Sequence, residues 1–158
     1  MTFGALNLAG GSTIVTGTLP PANGGTNSSN GAVTTLCAGI PNATITSTEY
    51  VGFGSLATSL NESQAYMPVP VSGTVASFYA QMSGSPAGTT TFKVRYNGGY
   101  LSFSSGTCQI TTSTTSCAAT SGTTPITEAT GNWDIEVDGV SGTVSRNYSM
   151  CIKVIDAN

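Results

Sequence analysis

Asp134, Glu136 and Asp138 are the residues whose types and spacing first suggest chemistry. Alternation along a strand would put all three carboxylates on one face, successive ones ~7 Å apart. Two carboxyls roughly 5 to 9 Å apart can cleave a glycosidic bond. That reaction also needs a cleft and one carboxyl with a raised pKa, and nothing in the neighbouring sequence signals either. The plainer expectation is a solvated strand face opposite Trp133, with its carboxylates paired to Lys93 and Arg95 on a neighbouring strand. Calcium is not expected here, because no loop alternates Asp or Asn ligands with the required Gly.

The other reactive types are few. The chain has no His, which removes the commonest general base and the commonest zinc ligand. Ser is abundant, but without His or a Gly-x-Ser-x-Gly elbow a serine hydrolase is not expected. The four cysteines (Cys37, Cys108, Cys117, Cys151) lack C-x-x-C spacing, so no metal site is expected. A two-residue turn at Thr112-Ser113 would place Cys108 opposite Cys117 in a non-hydrogen-bonded hairpin pair, where side chains approach closely. That register favours a cross-strand disulfide over two thiols. Cys37 and Cys151 are the remaining pair. No catalytic, cofactor-binding or metal-binding residue is assigned, and no receptor-binding residue is identified.

Short strands must position these groups. Phe92, Val94 and Tyr96 alternate with Lys93 and Arg95, which is the period of a half-buried strand. Trp133, Ile135 and Val137 repeat the pattern, as do Tyr148, Met150, Ile152 and Val154. Thr74 to Met82 reads as a further strand, ending at Ser83-Gly84-Ser85-Pro86. Asn97-Gly98 marks a hairpin, because a type I′ turn needs positive φ at both central residues. Tyr100 to Phe103 follows it as the return strand. Leu56 to Glu62 is the only helix candidate. Trp133, Tyr96 and Tyr148 fall in phase with the apolar faces, whereas periodicity does not place Tyr50, Tyr66 or Tyr100. Repeated short strands with Gly, Pro and Asn turns predict an all-β protein, an antiparallel β-sandwich of jelly-roll type.

Charge divides the chain. Residues 1–48 contain no Asp, Glu, Lys or Arg, and the first charge is Glu49. Charged residues are 7% of the chain, where about 25% is ordinary. The four basic residues (Lys93, Arg95, Arg146, Lys153) make no basic face, so nucleic acid is not an expected partner. No run of 18 apolar residues exists, so membrane insertion is not expected. Met1 to Asn7 has neither a basic region nor a continuous apolar one, and does not read as a signal peptide. The predicted division is an extended anchoring segment, 1–45, and a knob, 46–158. Short extended pieces with turn punctuation cannot build a core of their own, so the first segment is expected to be held by other chains.

Leu6-Asn7-Leu8-Ala9-Gly10-Gly11, followed by Ile14-Val15-Thr16-Gly17-Thr18-Leu19-Pro20-Pro21-Ala22-Asn23-Gly24-Gly25-Thr26, resembles the LPxANGGT segment of phage tail-fibre and other virion-fibre proteins. Asn27 stands where those segments usually carry Gly. The remainder, with Met67-Pro68-Val69-Pro70, Thr91 to Gly98 and Trp133 to Val137, resembles the small jelly-roll domains of phage structural proteins, similar in shape to trimeric tumour-necrosis-factor and C1q domains. The resemblance implies a homotrimeric virion protein without enzymatic activity, a fibre or capsid decoration made in a host cytoplasm and released by lysis. It implies that Leu6, Leu8, Ile14, Val15, Leu19, Pro20, Gly24 and Gly25 lie in the anchoring and trimerising segment, docked on capsid or tail proteins. It also allows a tail-fibre tip that binds a host surface glycan.

Overall fold

A computed structural model of the chain describes residues 32–139 and 144–156. Leu6 through Gly25, expected to anchor the chain, lie outside the described residues. Eleven strands follow in chain order: β1 Val33–Ala43, β2 Thr48–Val51, β3 Met67–Pro68, β4 Gly73–Met82, β5 Thr90–Tyr96, β6 Gly99–Tyr100, β7 Cys108–Ile110, β8 Ser116–Thr120, β9 Pro125–Ile126, β10 Asn132–Gly139 and β11 Arg146–Asp156. They form two antiparallel sheets. The first has the order β1-β11-β4-β8, with β9 beside β4. The second has the order β2-β10-β5, with β6 and β7 sharing the far edge of β5 and β3 beside β10. In chain order, groups of strands pass back and forth between the sheets: β1, then β2 and β3, β4, then β5 to β7, β8 and β9, β10, and β11.

Side-chain alternation explains the packing. Tyr148, Met150, Ile152 and Val154 of β11 are all buried and face Trp133, Ile135 and Val137 of β10 across the sandwich. Phe53 stacks on Trp133 with ring centroids 4.5 Å apart, closing one end of this layer. Burying such side chains contributes roughly 1.5–3 kcal/mol each.

In β4 the simple period breaks. Lys153 pairs with Ser77 but Val154 pairs with Val75, so Ala76 is an extra residue in a bulge. The apolar phase thereby moves from Val75 to Phe78, Ala80 and Met82, and Tyr79 turns outward, 48% exposed. The Ala76 carbonyl, freed by the bulge, accepts from Gly122 N–H at 3.1 Å.

Two sequence expectations need correction. The charge boundary does not mark the edge of the folded unit: β1 precedes the first charge, yet it pairs with β11 along its length and buries Ala38 and Ile40 in the core. A strand between a core and an uncharged surface needs no ionic groups, so charge was the wrong marker for the 45/46 division. Of the one helix candidate, Leu56–Glu62, only a single 3-10 turn forms, displaced to Glu62–Gln64 and capped by Asn61, in keeping with a chain expected to hold no helix longer than a turn. The strand expected over Tyr100 to Phe103 shortens to Gly99–Tyr100, although its turn is as read, with φ of 51° at Asn97 and 77° at Gly98.

Candidate functional site

All four cysteines are paired. Cys37 lies directly opposite Cys151 in the β1–β11 register, with Cα atoms 4.1 Å apart. That spacing is close to a non-hydrogen-bonded pair. The outward carbonyl of Cys37 instead accepts from Gly54 N–H at 2.9 Å. This bond therefore fastens an edge strand to a central one on the outer face of the first sheet.

Cys108 and Cys117 are bonded, with Cα atoms 5.2 Å apart. The turn falls at Thr112-Ser113, where Thr114 N–H donates to the Thr111 carbonyl at 3.1 Å. The two arms do not form the expected hairpin. β7 pairs with β5 in the second sheet, and β8 pairs with β4 in the first. The chain crosses between sheets here, so the disulfide ties the layers together rather than clipping two partners of one sheet. Both neighbours offer longer strands to pair with, and those pairings take precedence over the short local one.

The carboxylates of β10 lie on one face, as alternation requires, but two of them are not solvated. Asp134 is 1% and Glu136 3% exposed. In register, Arg95 is opposite Asp134 and Lys93 opposite Glu136. Glu136 accepts from Lys93 Nζ at 2.8 Å, from Arg95 Nη1 at 2.7 Å and from the Tyr100 hydroxyl at 3.0 Å. Arg95 Nη2 donates to the Gly98 carbonyl at 2.7 Å and lies 2.9 Å from Glu62 Oε1. The Tyr50 and Tyr100 rings both lie against the Arg95 guanidinium. Asp138, at the end of the row, is exposed and accepts from the Thr48 hydroxyl at 3.3 Å.

Environment separates the two buried acids. Burial acts to raise the Glu136 pKa, but hydrogen bonds from Lys93, Arg95 and Tyr100 outweigh it and hold the carboxyl below its ordinary value. Asp134 has no such donors among the described residues. Burial first, and the Glu62 charge second, push its pKa up to about 7. The hydrogen bond to Glu136 raises the pKa of Lys93, so this cation stays charged.

Beside this cluster the sandwich opens into a cleft of about 330 Å³. Phe78 and Phe92 floor it, Leu101 and Phe103 form one wall, and Lys93 and Tyr100 stand at the rim. Tyr100 is 55% exposed, with Lys93 and Arg95 over its ring. The paired carboxylates do not open into this space: Glu136 is occupied by three donors and Asp134 is covered.

Tyr50, Tyr66 and Tyr100, which periodicity left unplaced, all belong to the charged cluster. Tyr66 interacts electrostatically with Glu62 and Asp134. Sheet pairing brings in two of them, Tyr50 of β2 opposite Glu136 and Tyr100 of β6 opposite Arg95, while Tyr66 comes from the segment before β3, and no local period encodes those partners. No protein-family model matches the chain, and no curated protein matches it.

Proposed function

We propose that the chain is a structural, non-enzymatic virion protein: a homotrimeric fibre or surface decoration, attached through its N-terminal segment and displaying the sandwich. One observation carries this reading. The charge-free segment runs directly into β1, and β1 is an edge strand fastened covalently to β11 through Cys37–Cys151. An anchor that joined an unfastened edge strand would peel it from the sheet. The disulfide stops that four residues into the strand.

The chemistry of β10 supports a structural role as well. A glycosidase pair needs one free carboxylate facing a substrate. Glu136 instead neutralises two cations, and Asp134 lies under a loop. Light scattering after size exclusion tests the assembly. The full chain is expected to elute as a trimer, and a chain starting at residue 32 as a folded monomer. A monomeric full chain would sink the proposal.

The adhesive reading, a tail-fibre tip for a host surface glycan, is favoured by the cleft and by the exposed Tyr100 at its rim. Aromatic faces beside polar groups suit sugar stacking. Binding of the isolated protein to host cells, lost on Tyr100→Ala, would select this reading over a plain decoration.

A further inference from the structure

The segment from Ser59 to Pro68 crosses the outer face of the second sheet as a strap; ahead of it Phe53 is buried in the core, and Gly54 and Ser55 bond to β1. Backbone pairing fastens both ends. Tyr50 and Ser59 exchange hydrogen bonds of 2.8 and 2.9 Å, and Met67 and Pro68 pair with Trp133 and Asn132. Between these points the ionic hold is Glu62 against Arg95, 2.9 Å apart. Their contact is close but not aligned as a hydrogen bond, and Glu62 Oε1 is buried. Asp134 is buried on the same face, and neither of its oxygens has a hydrogen-bond partner among the described residues.

We propose that a proton held on Asp134 latches this strap against the sheet, and that losing the proton loosens it. The charges around Asp134 explain why. Two cations, Lys93 and Arg95, serve four carboxylates, Glu62, Asp134, Glu136 and Asp138. Lys93 is taken by Glu136 and Asp138, and Arg95 by Glu136 and Glu62. Tyr66 from the strap, Tyr50 from β2 and Tyr100 from β6 surround the cluster and add no positive charge. An ionised Asp134 would be a buried charge whose neighbouring cation, Arg95, is already paired with Glu136 and Glu62, beside a second carboxylate on the strap. Such a burial is costly unless the group is hydrated or neutralised.

Asp134 sits on a central strand and cannot move. Glu62 sits on a three-residue 3-10 turn, in a segment held mainly at its ends, and can. Relief therefore comes from the strap lifting to admit water, a local opening rather than global unfolding. The carboxyl pKa of about 7 places this transition in an accessible range. The strap also carries Leu60, 74% exposed, so its position decides where this apolar side chain is displayed.

Hydrogen exchange on the full chain at pH 5.5 and 8.5, corrected for intrinsic exchange, reads the strap directly. Protection of amides 60–66 is expected to fall at least tenfold at the higher pH, while β4 and β11 keep theirs. Asp134→Asn is expected to abolish that difference and keep the strap protected at both values. The carboxyl carbon shift of Asp134 in the unsubstituted protein gives a second reading, with a midpoint near 7. Strap protection independent of pH, an undiminished pH effect in Asp134→Asn, or an Asp134 midpoint below 5 would each overturn the latch.

Discussion

Two carboxyls two positions apart on β10 are driven in opposite directions, and stability must follow both. Native Asp134 keeps a proton up to about pH 7 that an unfolded chain releases near its ordinary value of 3.8. Its contribution is therefore complete below about pH 4 and is lost as pH rises through 7. Glu136 has a lowered pKa, so its contribution is present above its ordinary value of 4.5 and disappears as pH falls through the native one. The sum is a stability maximum at mildly acidic pH. Denaturant unfolding is expected to give about 2–3 kcal/mol less at pH 8 than at pH 5. Asp134→Asn should remove most of that slope; a profile unchanged by the substitution would place its cause elsewhere. The sequence makes half of this arrangement legible. Glu136, Lys93 and Arg95 share a strand phase, so their pairing is readable. Burial of Asp134 depends on a strap some seventy residues earlier in the chain, and local alternation carries no trace of it.

Elements show where local rules hold and where sheet pairing overrides them. Asn97-Gly98 specifies its turn because only residues tolerant of positive φ fit it, whatever surrounds them. Thr112-Ser113 also turns where expected, but its arms join different sheets, and tertiary pairing sets the geometry of Cys108–Cys117. The Ala76 bulge is equally hidden, because Ala76-Ser77 looks like two ordinary strand residues. The disulfides differ in what they constrain. Cys37–Cys151 spans a sequence separation of 114, and Cys108–Cys117 a separation of 9. Chain-entropy reasoning gives about 5 kcal/mol for the first and about 3 kcal/mol for the second. Replacing both cysteines of the first pair with Ser should therefore lower stability more than the same change at the second. Equal losses in denaturant titrations would mean that the sheet-to-sheet tie at Cys108–Cys117 contributes beyond its loop length.

For the whole molecule the two sheets divide the work. The outer face of the second sheet holds Lys93, Arg95, Asp134, Glu136 and Asp138, with Glu62 above them. The outer face of the first displays Thr35, Cys37, Tyr79, Gln81, Ala118 and Ser149, with Lys153 as its charge. The chain enters on the weakly charged side, at Val33, and antiparallel pairing with β11 puts Ile155 opposite that entry point. Force applied through residues 1–31 would unzip β1 pair by pair from Val33. With the disulfide intact, opening should halt after Leu36, because Cys37 is bonded to Cys151. With it reduced, the rest of β1 should follow, releasing Ala38 and Ile40 from the core. Single-molecule pulling between the N-terminus and a handle on β8 can separate these cases. The expected signature is a short first extension in oxidised protein and a longer one, at lower force, under reductant. Identical traces in both states would show that β1 does not take the load, and the anchoring argument built on its crosslink would then fail.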